Sequence, residues 1–182
     1  MIGRFFRRED ERRRSIEALH LRINEAARRP GLYTRLGVPD TVEGRFECLS
    51  LHVILVLRRL DHLSAPADDV AQDLVNAVFL QLDASLRELG VGDVAVGKRM
   101  KKLGSAFYGR AAGYATALDA GDVAALRQAL ARNVLGRDEP ETAAGLAAYV
   151  RAADSALARV DLDAILKAGP SLPAPDGFGE QP

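Results

Sequence analysis

Apolar residues return along this chain every three or four positions and almost never in strict alternation, which is the period of helices rather than strands. Ile16, Leu19, Ile23 and the pair Ala26/Ala27 form one stripe in an otherwise charged stretch. The spacing predicts a first helix that starts near Glu9 or Arg12 and stops before Pro30-Gly31. After a loop over 31–39, Asp40-Thr41-Val42-Glu43 reads as a capping box, with Asp40 as N-cap and Glu43 at the third helical position. The helix it opens runs to about Leu63. Phe46, Leu49, Val53, Val56, Leu57 and Leu60 fall on one side, and Leu51, Ile54 and Leu55 make its middle apolar nearly all round. A helix with no polar face is a buried, central one.

Pro66 opens a third helix with Asp68 and Asp69 in its first turn, where the helix dipole favours anions. Its stripe is Leu74, Val78, Leu82 and Leu86/Leu89, and Gly90 and Gly92 end it. Asp93 is the expected cap of a fourth helix that reaches Leu118 or Asp119. Gly121-Asp122 supply a turn and cap for a fifth, over 123–134. A sixth spans about Glu141 to Val160, with a short extension to Lys167. The last segment, 169–182, holds four prolines and is expected to be disordered. The pattern describes an all-α, single-domain, irregular bundle of about six helices around a buried central one. A basic segment over 1–8 precedes the helical domain, 9–168, and the proline-rich tail follows.

Composition agrees with this. At 182 residues, 48% hydrophobic and 27% charged, the chain is long enough for one real core and is globular in character. The formal net charge is zero, but it is unevenly spread. Residues 1–59 carry 13 Lys/Arg against 8 Asp/Glu, and residues 138–182 carry 3 against 8. The basic front points to anionic surfaces. In the N-terminal segment Phe5 and Phe6 stand beside Arg7 and Arg8, the mixture that settles in the headgroup region of an anionic bilayer. The longest run without charge, Cys48 to Leu57, is ten residues, half of what a spanning helix needs. The expected location is cytoplasmic, with peripheral contact to the inner face of the plasma membrane.

No reaction chemistry is legible. His20, His52 and His62 have no Cys or carboxylate at ligand spacing, and a zinc site needs three or four convergent ligands. No HExxH, GxSxG, phosphate-binding loop or dinucleotide glycine motif occurs. Cys48 lies on the apolar second helix, as a small core residue does. No catalytic residue, metal or cofactor is expected.

The fourth helix carries the strongest surface signal. Val96, Met100, Leu103, Phe107, Tyr114 and Leu118 fall within about 60° of one another on a helical wheel and make a complete core stripe. Lys98, Arg99, Lys102 and Arg110 fall on the other side, and Gly109 and Gly113 share that sector. A glycine inside a helix costs about 1 kcal/mol relative to alanine. Two of them facing outward are explained if a partner approaches the backbone, and otherwise are tolerated on a solvated lysine face. Tyr33, at the edge of the loop before the second helix, and Arg45 are further candidate contacts.

Several strings together resemble the ubiquinol–cytochrome c chaperone family. They are Gly37-Val38-Pro39-Asp40-Thr41, Gly44-Arg45-Phe46-Glu47, Leu51-His52 with Leu55-Val56-Leu57-Arg58-Arg59-Leu60, Leu86-Arg87-Glu88-Leu89-Gly90-Val91-Gly92-Asp93, Val96-Gly97-Lys98-Arg99, and Phe107-Tyr108-Gly109-Arg110 followed by Tyr114 and Leu118. The resemblance covers Tyr33 to Val134. It implies a chaperone for the ubiquinol–cytochrome c reductase complex that receives newly made cytochrome b or another subunit. In the mitochondrial members it also implies a ribosome contact and a small partner protein. The chain shows no mitochondrial presequence, so the expectation is a bacterial relative. The competing reading is a small-molecule or lipid-binding helical protein, which a deep apolar pocket with convergent polar groups would favour. Specific DNA binding ranks below both, because there is no helix-turn-helix signature and no aromatic stacking group on the basic face.

Overall fold

The computed structural model describes residues 2–88 and 90–179; for residues 2–9 it describes the backbone alone, so the side chains of Phe5, Phe6, Arg7 and Arg8 lie outside it. Among the described residues every regular element is helical. The helices are α1 (Ile2–Ala27), α2 (Pro30–Thr34), α3 (Val42–Asp61), α4 (Ala67–Glu88), α5 (Asp93–Asp119), α6 (Val123–Leu130), α7 (Ala144–Leu157) and α8 (Leu162–Ala168). Six of these have eight residues or more, and α2 and α8 are short connectors.

The centre is α3. All of residues 50–56 are buried, including Ser50 and His52, so the helix is covered on every side as its apolar middle requires. Helices α1, α4, α5 and α7 pack around it. Leu51, Leu55 and Leu60 are each at most 1% exposed, and burying a side chain of that size stabilises by about 1.5–3 kcal/mol. On α1 the stripe Ile16, Leu19, Ile23, Ala26 and Ala27 is buried against this core.

Both caps assigned to aspartates at the starts of α3 and α5 shift by one residue. The N-cap of α3 is Thr41, whose hydroxyl accepts the Gly44 N–H at 3.0 Å, while Asp40 forms a 2.7 Å ion pair with Arg45. Ser, Thr and Asp cap almost equally well, so local chemistry cannot choose between adjacent candidates. The loop decides it. A Cβ on Gly44 would lie 2.0 Å from the Pro39 carbonyl oxygen, so the chain before α3 is folded tightly over its first turn. At α5 the cap position is Gly92, and Asp93 is the first helical residue, ion-paired with Arg87 across the turn. Asp122 does cap α6, accepting the Ala125 N–H at 2.9 Å.

Two later elements also differ from the pattern. The helix expected over 123–134 is α-helical to Leu130 and then widens into a π turn, Ala131–Leu135, ended by Gly136 at φ 64°. The sixth helix divides. It begins as a 3-10 turn at Pro140, becomes α7, and stops at Leu157; α8 is separate because the Asp161 side chain accepts the Ala164 N–H at 2.8 Å and starts a new helix.

The tail over 169–179 is ordered against the body, contrary to the expectation from its prolines. Leu172 and Pro175 are buried, and the Phe178 ring meets Tyr149 edge-on at 5.7 Å. Arg29 donates to the carbonyl oxygens of Leu172 and Pro173 at 3.2 and 3.0 Å. Gly145 makes room, since a Cβ there would sit 2.6 Å from the Phe178 carbonyl oxygen. Proline stiffens an extended segment and so lowers the entropy lost on docking, which composition alone does not reveal.

Candidate partner-binding face

Helices α4 and α5 form an antiparallel hairpin that leaves the body. Phe79 meets Phe107 edge-on at 5.6 Å near its base, and Arg87 pairs with Asp93 at its tip. Between Leu80 and Ala106 only Val96 is buried among the described residues. Met100, Leu103, Leu82 and Leu86 are half-buried, so the two helices cover each other on one side and face solvent elsewhere.

The outer side of α5 carries Lys98, Arg99 and Lys102, all exposed, with Lys101 beside them. Among the described residues none of these four cations forms an ion pair, whereas Arg87 on the same hairpin holds both Asp83 and Asp93. Gly109 and Gly113 continue the face toward the body. Both are exposed, and a Cβ at either would meet nothing within 4 Å. From Lys98 to Gly113 the face is about 22 Å long at the helical rise.

Arg110 does not belong to this face. It turns toward α3 and pairs with Glu47 at 2.7 Å, the two side chains being only 19% and 15% exposed. Burial raises the Glu47 carboxyl to about 7 although Arg110 opposes it. Glu47 Oε2, Arg110 Nε and Nη1, and the Tyr114 hydroxyl are buried there without protein partners, so the pair tethers α5 to α3 at the expense of unsatisfied hydrogen-bonding groups. Sequence periodicity placed Arg110 120° from Lys98, at the edge of the basic sector, and a long side chain at an edge reaches either way.

Tyr33 and Arg45 are likewise engaged within the chain. The Tyr33 hydroxyl donates to the Ala27 carbonyl at 2.8 Å and closes the α1–α2 corner. Arg45 is exposed but paired with Asp40, and that guanidinium holds the Asp40 carboxyl below its ordinary range.

The three histidines hold no metal site, and no group of three or more potential ligands converges among the described residues. His52 is fully buried. Its Nδ1 lies 2.7 Å from the Cys48 carbonyl oxygen, which can only accept, so Nδ1 carries the proton and Nε2 accepts from the Tyr149 hydroxyl at 2.8 Å. Burial lowers its pKa to about 4, and burial raises the Cys48 thiol to about 12, which removes it as a nucleophile at neutral pH. These groups lock α3 to α7.

Residues 34–172 match the ubiquinol-cytochrome C chaperone family, well over half of the chain. The chain belongs to that family. The fold also matches the crystal structure of the Cbp3 homolog from Brucella abortus, with a TM-score of 0.85 and 38% identity over 98% of this chain and 99% of that one. No curated protein matches the chain. The family supports the coarse role of an assembly factor for ubiquinol–cytochrome c reductase. No helix among the described residues is long and apolar enough to cross a membrane.

Family membership sharpens the reading of the strings that carry the resemblance, because most of them have structural work. Gly44 admits Pro39. Glu47 ties α3 to Arg110 of α5. Arg58 bridges Asp154 at 3.0 Å and Asp119 at 2.7 Å, and Arg59 donates to the Val160 carbonyl at 2.8 Å. His52 holds Tyr149. Among the residues left without an intrachain partner are Lys98, Arg99 and Gly109, which share the outer side of α5 with Lys102 and Gly113.

Proposed function

We propose that this chain is a non-enzymatic assembly factor that binds newly made cytochrome b, with the outer face of α5 as its contact surface. The carrying observation is the set of unpaired cations at Lys98, Arg99 and Lys102, continued by two exposed glycines, on a hairpin that stands away from the core. Arg99 can grip a carboxylate or carbonyl-rich segment with a planar fork, and the two lysines add point charge. Gly109 and Gly113 let a partner backbone come close, as small residues do between membrane helices. A nascent polytopic membrane protein offers both chemistries, in its helices and in its polar loops.

The same reading puts the protein at the inner face of the plasma membrane, held peripherally by Phe5, Phe6, Arg7 and Arg8. Co-sedimentation with anionic vesicles tests that part, and is expected to fall when both phenylalanines become serine. The contact surface is tested by the triple charge reversal Lys98→Glu, Arg99→Glu, Lys102→Glu. Exposed, unpaired side chains contribute little to stability, so the melting midpoint should stay nearly unchanged. The amount of assembled ubiquinol–cytochrome c reductase in cells should drop. Normal assembly with a folded triple variant would reduce this face to a solvated surface.

A further inference from the structure

At the base of the hairpin, α4 and α5 flank an open groove of about 470 Å³ whose floor is the C-terminal half of α3. The groove lies about a third of a turn round α5 from the Lys98–Gly113 face, on the side of Tyr108, Ala111 and Ala115. Its apolar lining includes Leu57 from α3, Leu63 just beyond it, Ala71 from α4, and Ala111 and Ala115 from α5, all of them only half-buried. The fold therefore leaves apolar surface uncovered here, and alanines on both walls let a helix backbone come close.

The polar lining sets the charge of the occupant. Asp61, Asp68 and Asp119 line the groove, and Arg58 is the one Lys or Arg among the lining residues. Arg58 is already committed, because its guanidinium holds Asp119 at 2.7 Å and Asp154 at 3.0 Å. Asp61 and Asp68 are exposed, and neither has a paired cation among the described residues; the Asp68 carboxylate accepts the neighbouring Asp69 N–H at 2.9 Å. Tyr108, 57% exposed, adds an aromatic ring, a group that attracts cations. An occupant that suits both parts of the groove has an apolar body and a cationic end. Membrane-spanning helices are built in this way where they meet the cytoplasm, since Lys and Arg are in excess there. A soluble amphipathic helix instead carries its charges along one side.

We infer that the groove over α3 binds the Lys/Arg-flanked end of an apolar helix, with the apolar residues against Leu57 and Leu63 and the cations at Asp61 and Asp68. The inference rests on the assembly-factor reading for the source of such a helix, a membrane-protein client, and it is independent of the outer face of α5.

The test uses the full chain and two fluorescent synthetic peptides, an apolar Leu/Ala helix with a pair of lysines at one end and its counterpart with a pair of glutamates. Fluorescence anisotropy should show saturable one-to-one binding of the lysine peptide, at least tenfold tighter than that of the glutamate peptide. Asp61→Lys with Asp68→Lys, both changes at exposed positions, should reverse the preference. The milder pair Asp61→Asn with Asp68→Asn should reduce it to less than threefold, at a melting midpoint near that of wild type. Lys98→Ala, Arg99→Ala, Lys102→Ala together should leave the lysine-peptide affinity within twofold of wild type. No binding, equal affinity for the two peptides, a preference unchanged in both aspartate variants, or loss of binding in the alanine triple variant would each overturn the inference. Full lysine-peptide binding beside normal complex assembly in the triple charge reversal would uphold this groove and remove the α5 outer face alone.

Discussion

Tyr149→Phe removes one oxygen from the interior and tests how α7 is fixed to the central helix. Tyr149 is fully buried, and its hydroxyl is the hydrogen-bond partner of His52 Nε2 at 2.8 Å. Phenylalanine keeps the ring and its edge-on contact with Phe178. What is lost is one hydrogen bond, a net term of about 1 kcal/mol, and what is left is a fully buried imidazole nitrogen without a partner, which costs about 1–3 kcal/mol. The expected destabilisation is therefore about 2 kcal/mol. For a domain of this length 1 kcal/mol moves the midpoint by about 2–4 °C, so thermal unfolding should shift down by about 4–8 °C. Urea unfolding followed by circular dichroism gives the free energy directly. The partner variant His52→Leu should also destabilise, and the double variant should cost less than the sum of the two, because removing both halves of a buried pair leaves no orphan. Additive effects, or a single variant within a few tenths of a kcal/mol of wild type, would refute the coupling.

Acid should weaken the contribution of the same histidine to the fold. Its pKa is lowered from 6.5 to about 4 on folding, so below 6.5 the unfolded chain takes up a proton that the native one refuses, and the His52 contribution to stability falls by about 3 kcal/mol as pH drops from 6.5 toward 4. Glu47, raised to about 7, acts with the opposite sign between its ordinary value and 7 and remains in both proteins, so the check is the stability of wild type minus that of His52→Leu in urea titrations, which should fall by about 3 kcal/mol from pH 6.5 to 4; a difference independent of pH would contradict it. Thr41→Ala should cost about 1 kcal/mol by removing the α3 cap, while Asp40→Ala leaves the midpoint unchanged within error, and the reverse ranking would return the cap to Asp40. Gly145→Val should release the tail, seen as faster amide exchange over 170–179 with slow exchange retained in α3; protection equal to wild type would show that Gly145 does not admit the strap.

What the sequence disclosed follows from which forces are periodic. The central helix was legible because an all-round apolar stretch has only one stable place, and the α5 stripe because Val96, Phe107 and Tyr114 return at the helical period and are buried as expected. Cap positions were not legible to the residue, since Thr41 and Asp40 are adjacent and chemically alike. The direction of Arg110 is not legible for a related reason: its Cα sits at a sector boundary, and the choice between solvent and Glu47 depends on where α3 lies. The packing of the tail is not legible because its anchors, Leu172, Pro175 and Phe178, are scattered among prolines with no period to read.

The most direct test of the chaperone assignment is site-specific photo-crosslinking on α5 in growing cells. A photoreactive residue at Lys102 or Gly109, on the outer face, should join the protein to newly made cytochrome b, and one at exposed Asp163 on α8 should not. A cytochrome b adduct that forms from α8 and not from α5, or none from either α5 position in a strain that assembles the complex normally, would contradict the account.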